Sequence, residues 1–348
     1  MDRKTVEREV SASEEREIID NIYAIAPNVW RMKDVFVNVF VIESQQQPGW
    51  VLVDTGLKSS YKKIKKLIAE AIEPDAVPQA IILTHGHFDH RGALQQLADE
   101  WNVSIYCHHM EIPYLNGSAS YPPPDPTVGG GIMASMAFVY PKGPINVQDH
   151  LKELPEDGTV PHLPDWKWIH TPGHTPGHIS LFREKDGVLI AGDAVVTTKQ
   201  ESVFSVMTQK RVVSGPPKYF TPDWGAAARS VKELAALEPN VIASGHGHAL
   251  YGDDARKALN KLAREFWRLG IPEHGRYVSE PALFNAEGPT YVPPANYRKV
   301  IFKVAIAATL MVAGYLLYKR KHKRIGKAFM TSSLGMLGYK IPLLNSLF

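Results

Sequence analysis

The chain has 348 residues, 44% of them hydrophobic and 22% charged, which is enough apolar content to bury a large core and too little charge for a disordered polyelectrolyte. Its single cysteine, Cys107, excludes an internal disulfide and a zinc site built on Cys ligands. The net charge of +3 conceals an asymmetry: residues 296–348 hold ten Lys and Arg and no Asp or Glu, against 29 basic and 36 acidic residues in 1–295.

Residues 1–20 are densely charged and lack the apolar core of a secretory signal, so they are expected to form an N-terminal extension on a cytoplasmic protein. VFVNVFVIES (35–44) and GWVLVDTG (49–56) flank QQQPG and read as two paired strands. SSYKKIKKLIAEAIE (59–73) carries apolar residues at helical spacing, with lysines on the outer face. AIILTH (80–85) is an apolar strand running into H-G-H-F-D-H, followed by a helix over 91–101 and a strand over 103–109. Residues 117–164 are rich in Pro and Gly and read as a long loop. That loop is either a flap facing the substrate or an irregular surface excursion. Strand signals resume over 166–174, 178–187 and 188–195, then a helix over 224–237, a strand over 240–247 and an amphipathic helix over 253–270. No internal repeat of solenoid length is present.

Five strands end in polar residues at their C-terminal tips: Asp54; His85, His87, Asp89 and His90; His174; Asp193; and His246. Imidazoles and carboxylates without thiolates suit zinc, and also iron or manganese. The H-x-H-x-D-H spacing lets alternate residues of one turn face one ion and the remainder a second.

T-H-G-H-F-D-H at 84–90, T-P-G-H-T-P-G-H at 171–178, A-G-D-A at 191–194 and S-G-H-G at 244–247 resemble the metallo-β-lactamase superfamily, in particular its glyoxalase II-like and lactonase-like hydrolases. The resemblance covers residues 20–270 and implies an α/β (α+β) fold, an αββα sandwich of two mixed sheets flanked by helices, with the metals at one edge. It assigns His85, His87 and His174 to a first metal, Asp89, His90 and His246 to a second, and Asp193 to a bridge between them. Asp54 would support the ligands from behind. Two zinc ions are the expected cofactors. A shared water would become hydroxide near neutral pH and attack an ester, lactone or thioester carbonyl. Asp89 is the candidate to carry a proton to the leaving group. The rival readings are an iron-dependent oxygenase or oxidoreductase on the same fold, and a metal-binding module without turnover.

Other residues remain open at this point. His178 has no free ligand slot and reads as a structural hydrogen-bonding residue. His108 and His109 receive the same bland reading, and His248 is the fallback for His246. Arg256, Lys257, Lys261, Arg264 and Arg268 would hold a glutathione, or else are the solvated face of their helix. Tyr121, Tyr140 and Tyr219 are candidates for the tyrosine that lactonase-like members place near the metals, and 214–224 is expected to close over the site. The partner is a small-molecule substrate, with no nucleic acid expected.

After a linker over 271–297, residues 298–348 read as a basic, apolar tail. VIFKVAIAATLMVAGYLLY (300–318) has 16 apolar residues in 19 and is followed by KRKHKR. That length approaches the ~20 residues that cross a bilayer. Crossing from the cytoplasm would carry the basic knot to the wrong side. An in-plane helix on the inner face of a membrane avoids this; the alternative is a helical hairpin packed on the catalytic body or a partner chain.

Overall fold

In strand β4 (Val37–Glu43), Val39 and Val41 point to one side and Phe40 and Ile42 to the other, and all four are fully buried. Successive side chains of a strand face opposite ways, so a strand apolar on both faces needs a layer on each. The computed structural model describes residues 14–295, together with 309, 312 and 313, and supplies both layers.

The first sheet runs in chain order from β1 (Arg16–Ile19) through β2 (Ile22–Ala26), β3 (Val29–Asp34), β4, β5 (Trp50–Val53), β6 (Ala80–Ile82) and β7 (Ser104–Cys107) to β8 (Leu151–Glu153). It is antiparallel up to β5 and parallel beyond. The second has six strands: β9 (Thr159–Val160), β10 (Leu163–His170), β11 (Ile179–Arg183), β12 (Val188–Ile190), β13 (Val241–Ala243) and β14 (Leu250–Tyr251). Only β12 and β13 pair in parallel there. Phe40, Ile42, Val51, Val53 and Ile82 of the first sheet meet Leu181, Val188, Ile190 and Val241 of the second in a central core.

The outer faces are covered by helices. Val39, Val41, Leu52 and Ile81 pack on α1 (Tyr61–Ala71) and α2 (Leu94–Trp101). Helix α1 buries Ile64, Leu67, Ile68 and Ala71, a single stripe at helical spacing. Leu189 and Ile242 pack on α6 (Trp224–Ala236) and α7 (Gly252–Arg264). Between these lie the short helices α3 (Ile112–Leu115), α4 (Ile132–Ser135) and α5 (Val203–Thr208). The layering is the αββα sandwich that the resemblance implies.

Three expectations change. The sheet already begins inside the expected N-terminal extension, because β1 pairs with β2 and Glu15 forms a buried ion pair with Arg31 at 2.8 Å. The helix expected over 253–270 breaks at Glu265, and α8 (Phe266–Leu269) turns Phe266 inward against Trp224. The linker expected over 271–297 is packed structure: it holds the hairpin of β15 (Leu283–Asn285) and β16 (Gly288–Tyr291), and Tyr277 and Ala282 are buried beside α6 and α7. Apart from three positions, the tail expected over 298–348 lies outside the described residues. Among the described residues no helix is long and apolar enough to cross a membrane.

Candidate metal centre

The expected site residues follow the ends of β5, β6, β10, β12 and β13, where both sheets present loops at one edge. The structure brings Asp54, His85, His87, Asp89, His90, His174, Asp193 and His246 together there, each less than 10% exposed. Donor atoms of His85, His87 and His174 lie within 4.8 Å of one another, and so do those of Asp89, His90 and His246. A third such group, His85, His90 and Asp193, lies between them. Oδ2 of Asp193 is 3.4 Å from Nε2 of His174 and 3.0 Å from Nε2 of His246, so one carboxylate reaches both triads.

Three imidazoles are held through Nδ1, leaving Nε2 turned inward. Nδ1 of His85 meets the Thr84 hydroxyl at 3.1 Å, that of His90 meets Asp54 at 2.8 Å, and that of His246 meets the Phe36 carbonyl at 2.7 Å. Such contacts fix ring orientation and tautomer. Nε2 of His85, Nε2 of His90 and Oδ1 of Asp193 are buried without a hydrogen-bond partner among the described residues. Each uncompensated buried polar atom costs about 1–3 kcal/mol. Their convergence fits a cation, which would engage all three.

Electrostatics divide the cluster. Burial holds His85 and His87 far below the ordinary imidazole range and His174 down to about 3, so all three offer lone pairs. Burial opposes a charge on His90 as well, but Asp193 and Asp54 raise it to about 10. Burial would likewise raise Asp193, yet His246 and His90 hold it well below the usual carboxylate range. Burial pushes Asp89 up.

The backbone leaves no spare room. A side chain at Gly245 would begin 2.1 Å from Oδ1 of Asp193, so glycine is required for the loop to pass the cluster. Asp54 adopts a left-handed conformation, φ 61°, that aims its carboxylate at Thr84 and His90. His178 receives the Asp193 backbone N–H at 2.8 Å and contacts the Thr171 hydroxyl at 2.8 Å, in agreement with its structural reading. His248 lies apart, paired with Glu15 and edge-on to Tyr23. His108 stacks on His170 outside the cluster, with His109 beside it.

Glu111 has no place in the sequence reading. Fully buried, it accepts the backbone N–H of Gly86 at 2.9 Å, that of Gly177 at 2.8 Å and the Tyr121 hydroxyl. Gly86 separates His85 from His87, and Gly177 closes the loop that carries His174, so one carboxylate joins two ligand-bearing loops. Its only trace in the sequence is a lone acid within the apolar run M-E-I-P-Y-L (110–115).

Above His87 and His174 lies a small cavity walled by Tyr121, Pro122–Pro124, Tyr219, Phe220, Pro222 and Tyr277. The 117–164 loop thus supplies part of the wall, and 214–224 supplies another part. The segment expected as a linker supplies Tyr277, whose hydroxyl donates to the Pro123 carbonyl at 2.6 Å. Tyr121 sits 4.6 Å from the His87 ring, while Tyr140 stands one layer out against Phe88. The α7 cations are not among these residues: Arg256 pairs with Asp253, Lys257 with Asp254, and Arg268 of α8 with Glu265.

The family model of the metallo-β-lactamase superfamily matches residues 32–246. "Probable metallo-hydrolase YflN" of Bacillus subtilis is 44% identical over 227 residues, 65% of this chain and 86% of that protein. "Hydroxyacylglutathione hydrolase GloC" of Haemophilus influenzae is 30% identical over 131 residues, 38% of this chain and 56% of that one. Among solved structures, the B3 metallo-β-lactamase BLEG-1 is similar with a TM-score of 0.47 at 21% identity, over 68% of this chain and 97% of that one. With the motifs, the layering and the match spanning both ligand triads, the chain belongs to the metallo-β-lactamase superfamily, as a metal-dependent hydrolase.

Proposed function

We propose that the chain hydrolyses a small, largely apolar ester, lactone or thioester with two metal ions, zinc in the first instance. The observation that carries this reading is the pair of histidine-rich triads joined by Asp193, with His87 and His174 of the first lining an aromatic cavity. His85, His87 and His174 would hold one ion, Asp89, His90 and His246 the other, and Asp193 both. Nitrogen and oxygen donors without thiolate suit zinc. Two bound ions would supply hydroxide at neutral pH and polarise a carbonyl.

The chain's own residues do the rest. Asp54, Thr84 and the Phe36 carbonyl keep the imidazoles in register, and the cavity wall excludes water from the reacting carbonyl. Asp89 lies with its Oδ2 3.7 Å from Nε2 of His246, which places it beside the reacting centre as the candidate to carry a proton to the departing oxygen or sulfur. The cavity wall contains no Lys or Arg, which favours an uncharged acyl group. The similarity to a hydroxyacylglutathione hydrolase keeps thioesters in the class. The cations of α7 do not line the cavity, which points away from glutathione as the carrier.

Elemental analysis of the purified protein, followed by a panel of aryl esters, lactones and acyl-glutathiones, tests the proposal. The expected result is two equivalents of zinc and the highest kcat/KM on a short-chain ester or lactone. One equivalent of iron with oxygen consumption would overturn it.

A further inference from the structure

Two short segments beside the cavity expose apolar side chains. Helix α4 and the turn after it present Met136, Phe138 and Val139, the last two at 69% and 56% exposure. Helix α5 presents Phe204 and Met207 at 70% and 77%. The segments touch where the two helices begin, since a side chain on Gly131 would start 2.2 Å from the Glu201 carbonyl oxygen. In the α4 segment, the inner residues Ala134 and Ala137 pack on Tyr219 and Phe220 of the cavity wall. Taken together, the exposed residues of these two touching segments give apolar surface next to the cavity wall. Contiguous exposed apolar surface of this kind marks an interaction site.

Charge decides what covers it. Residues 126–148 and 202–222 contain no Asp or Glu, although residues 1–295 are acidic in sum. Lys142, Lys199 and Lys210 are exposed at the margins; Arg211 also lies there, 3.6 Å from Glu15. The C-terminal segment 296–348 carries ten cations and no acid, so it is a poor occupant for a cationic face. A second copy would bring the same cations together. Exposed apolar side chains in segments that carry exposed lysines and no acid match the headgroup boundary of a bilayer bearing anionic lipid.

We propose that the face formed by residues 132–139 and 203–212 docks on an anionic lipid surface and sets the cavity mouth against it. The inference is independent of which bond is cleaved. Flotation of the full chain with phosphatidylcholine vesicles, with and without phosphatidylglycerol, tests it. The chain is expected to float with the anionic vesicles only, and less as salt is raised. Phe138→Ser, Phe204→Ser and Met207→Ser combined are expected to lower partitioning by about tenfold or more. Thermal melting and turnover of a soluble ester should stay unchanged. Lys142→Gln with Lys210→Gln, which leaves the apolar residues in place, is expected to weaken binding to the anionic vesicles. Failure of the full chain to float would overturn the proposal. So would a triple variant that binds like the parent, or one whose only change is loss of self-association in light scattering.

Discussion

The carboxylate of Asp54 accepts from three donors: the Thr84 backbone N–H, the Thr84 hydroxyl and Nδ1 of His90. Asp54→Asn leaves one amide oxygen for three donors and turns an NH2 group towards one of them. His90 then loses the partner that fixes its ring with Nε2 inward, and metal affinity is expected to fall about 10–100-fold, measured by competition with a chromogenic chelator. Glu111→Gln acts on both ligand loops at once, because a glutamine cannot accept from the N–H of Gly86 and of Gly177 together. A loss of about 1–3 kcal/mol in urea denaturation is expected, with lower metal content. The difference in legibility between these two residues is physical. Asp54 and the ligands announce themselves because imidazoles and carboxylates occur at fixed spacing beside strand ends. Glu111 binds backbone amides, which every sequence offers, so nothing in its neighbours' identities points to it.

Strands and helices are legible where a face is uniform in chemistry, whether one face as in α1 or both as in β4. The four lysines of α1 stand opposite Ile64, Leu67 and Ile68, and both faces of β4 are apolar because both are covered. The hairpin of β2 and β3 escaped the sequence reading: its strands interrupt apolar residues with Tyr23, Arg31 and Lys33, and it turns at Pro27–Asn28. Arg31 is nevertheless fully buried, because Glu15 and Asn38 satisfy it. The strand end after β7 carries a titration of its own. His108 caps the turn by accepting from the Met110 N–H at 3.2 Å and stacks on His170 at 4.1 Å. Burial, and then the neighbouring His170 and His109, depress it to about 3. The unfolded chain, with an ordinary histidine near 6.5, binds the proton more readily. This contribution to stability is thus intact above about pH 6.5 and is lost as pH falls towards about 3. His108→Asn keeps a capping acceptor and removes the site, so its melting temperature should drop less than the parent's between about pH 7 and about pH 5.

At the scale of the molecule, each sheet holds an incomplete set of the proposed ligands. The first carries Asp54 and the His85–His90 turn; the second carries His174, Asp193 and His246. Bound ions would tie the two sheets together, and anything that binds only the folded state stabilises it. At a metal concentration about a thousandfold above Kd the effect is about 4 kcal/mol, so chelation should lower the melting temperature by about 10 °C, restored by adding zinc. The sandwich and the motifs whose residues cluster at its edge are legible in the sequence. How the closing segment after α8 completes the cavity is not legible, since Tyr277 is tied to the wall by a hydrogen bond to a backbone carbonyl, that of Pro123.

The Glu111 strap reaches from the turn after β6 to the loop before β11, from one sheet to the other, using protein atoms alone. The seam is therefore latched twice, once by whatever cations are bound and once by a carboxylate that stays when they leave. An emptied molecule keeps its receptacle. Reloading should then follow ordinary bimolecular kinetics, its rate rising in proportion to the metal supplied, with no plateau set by rearrangement of the chain. In Glu111→Gln that plateau should emerge.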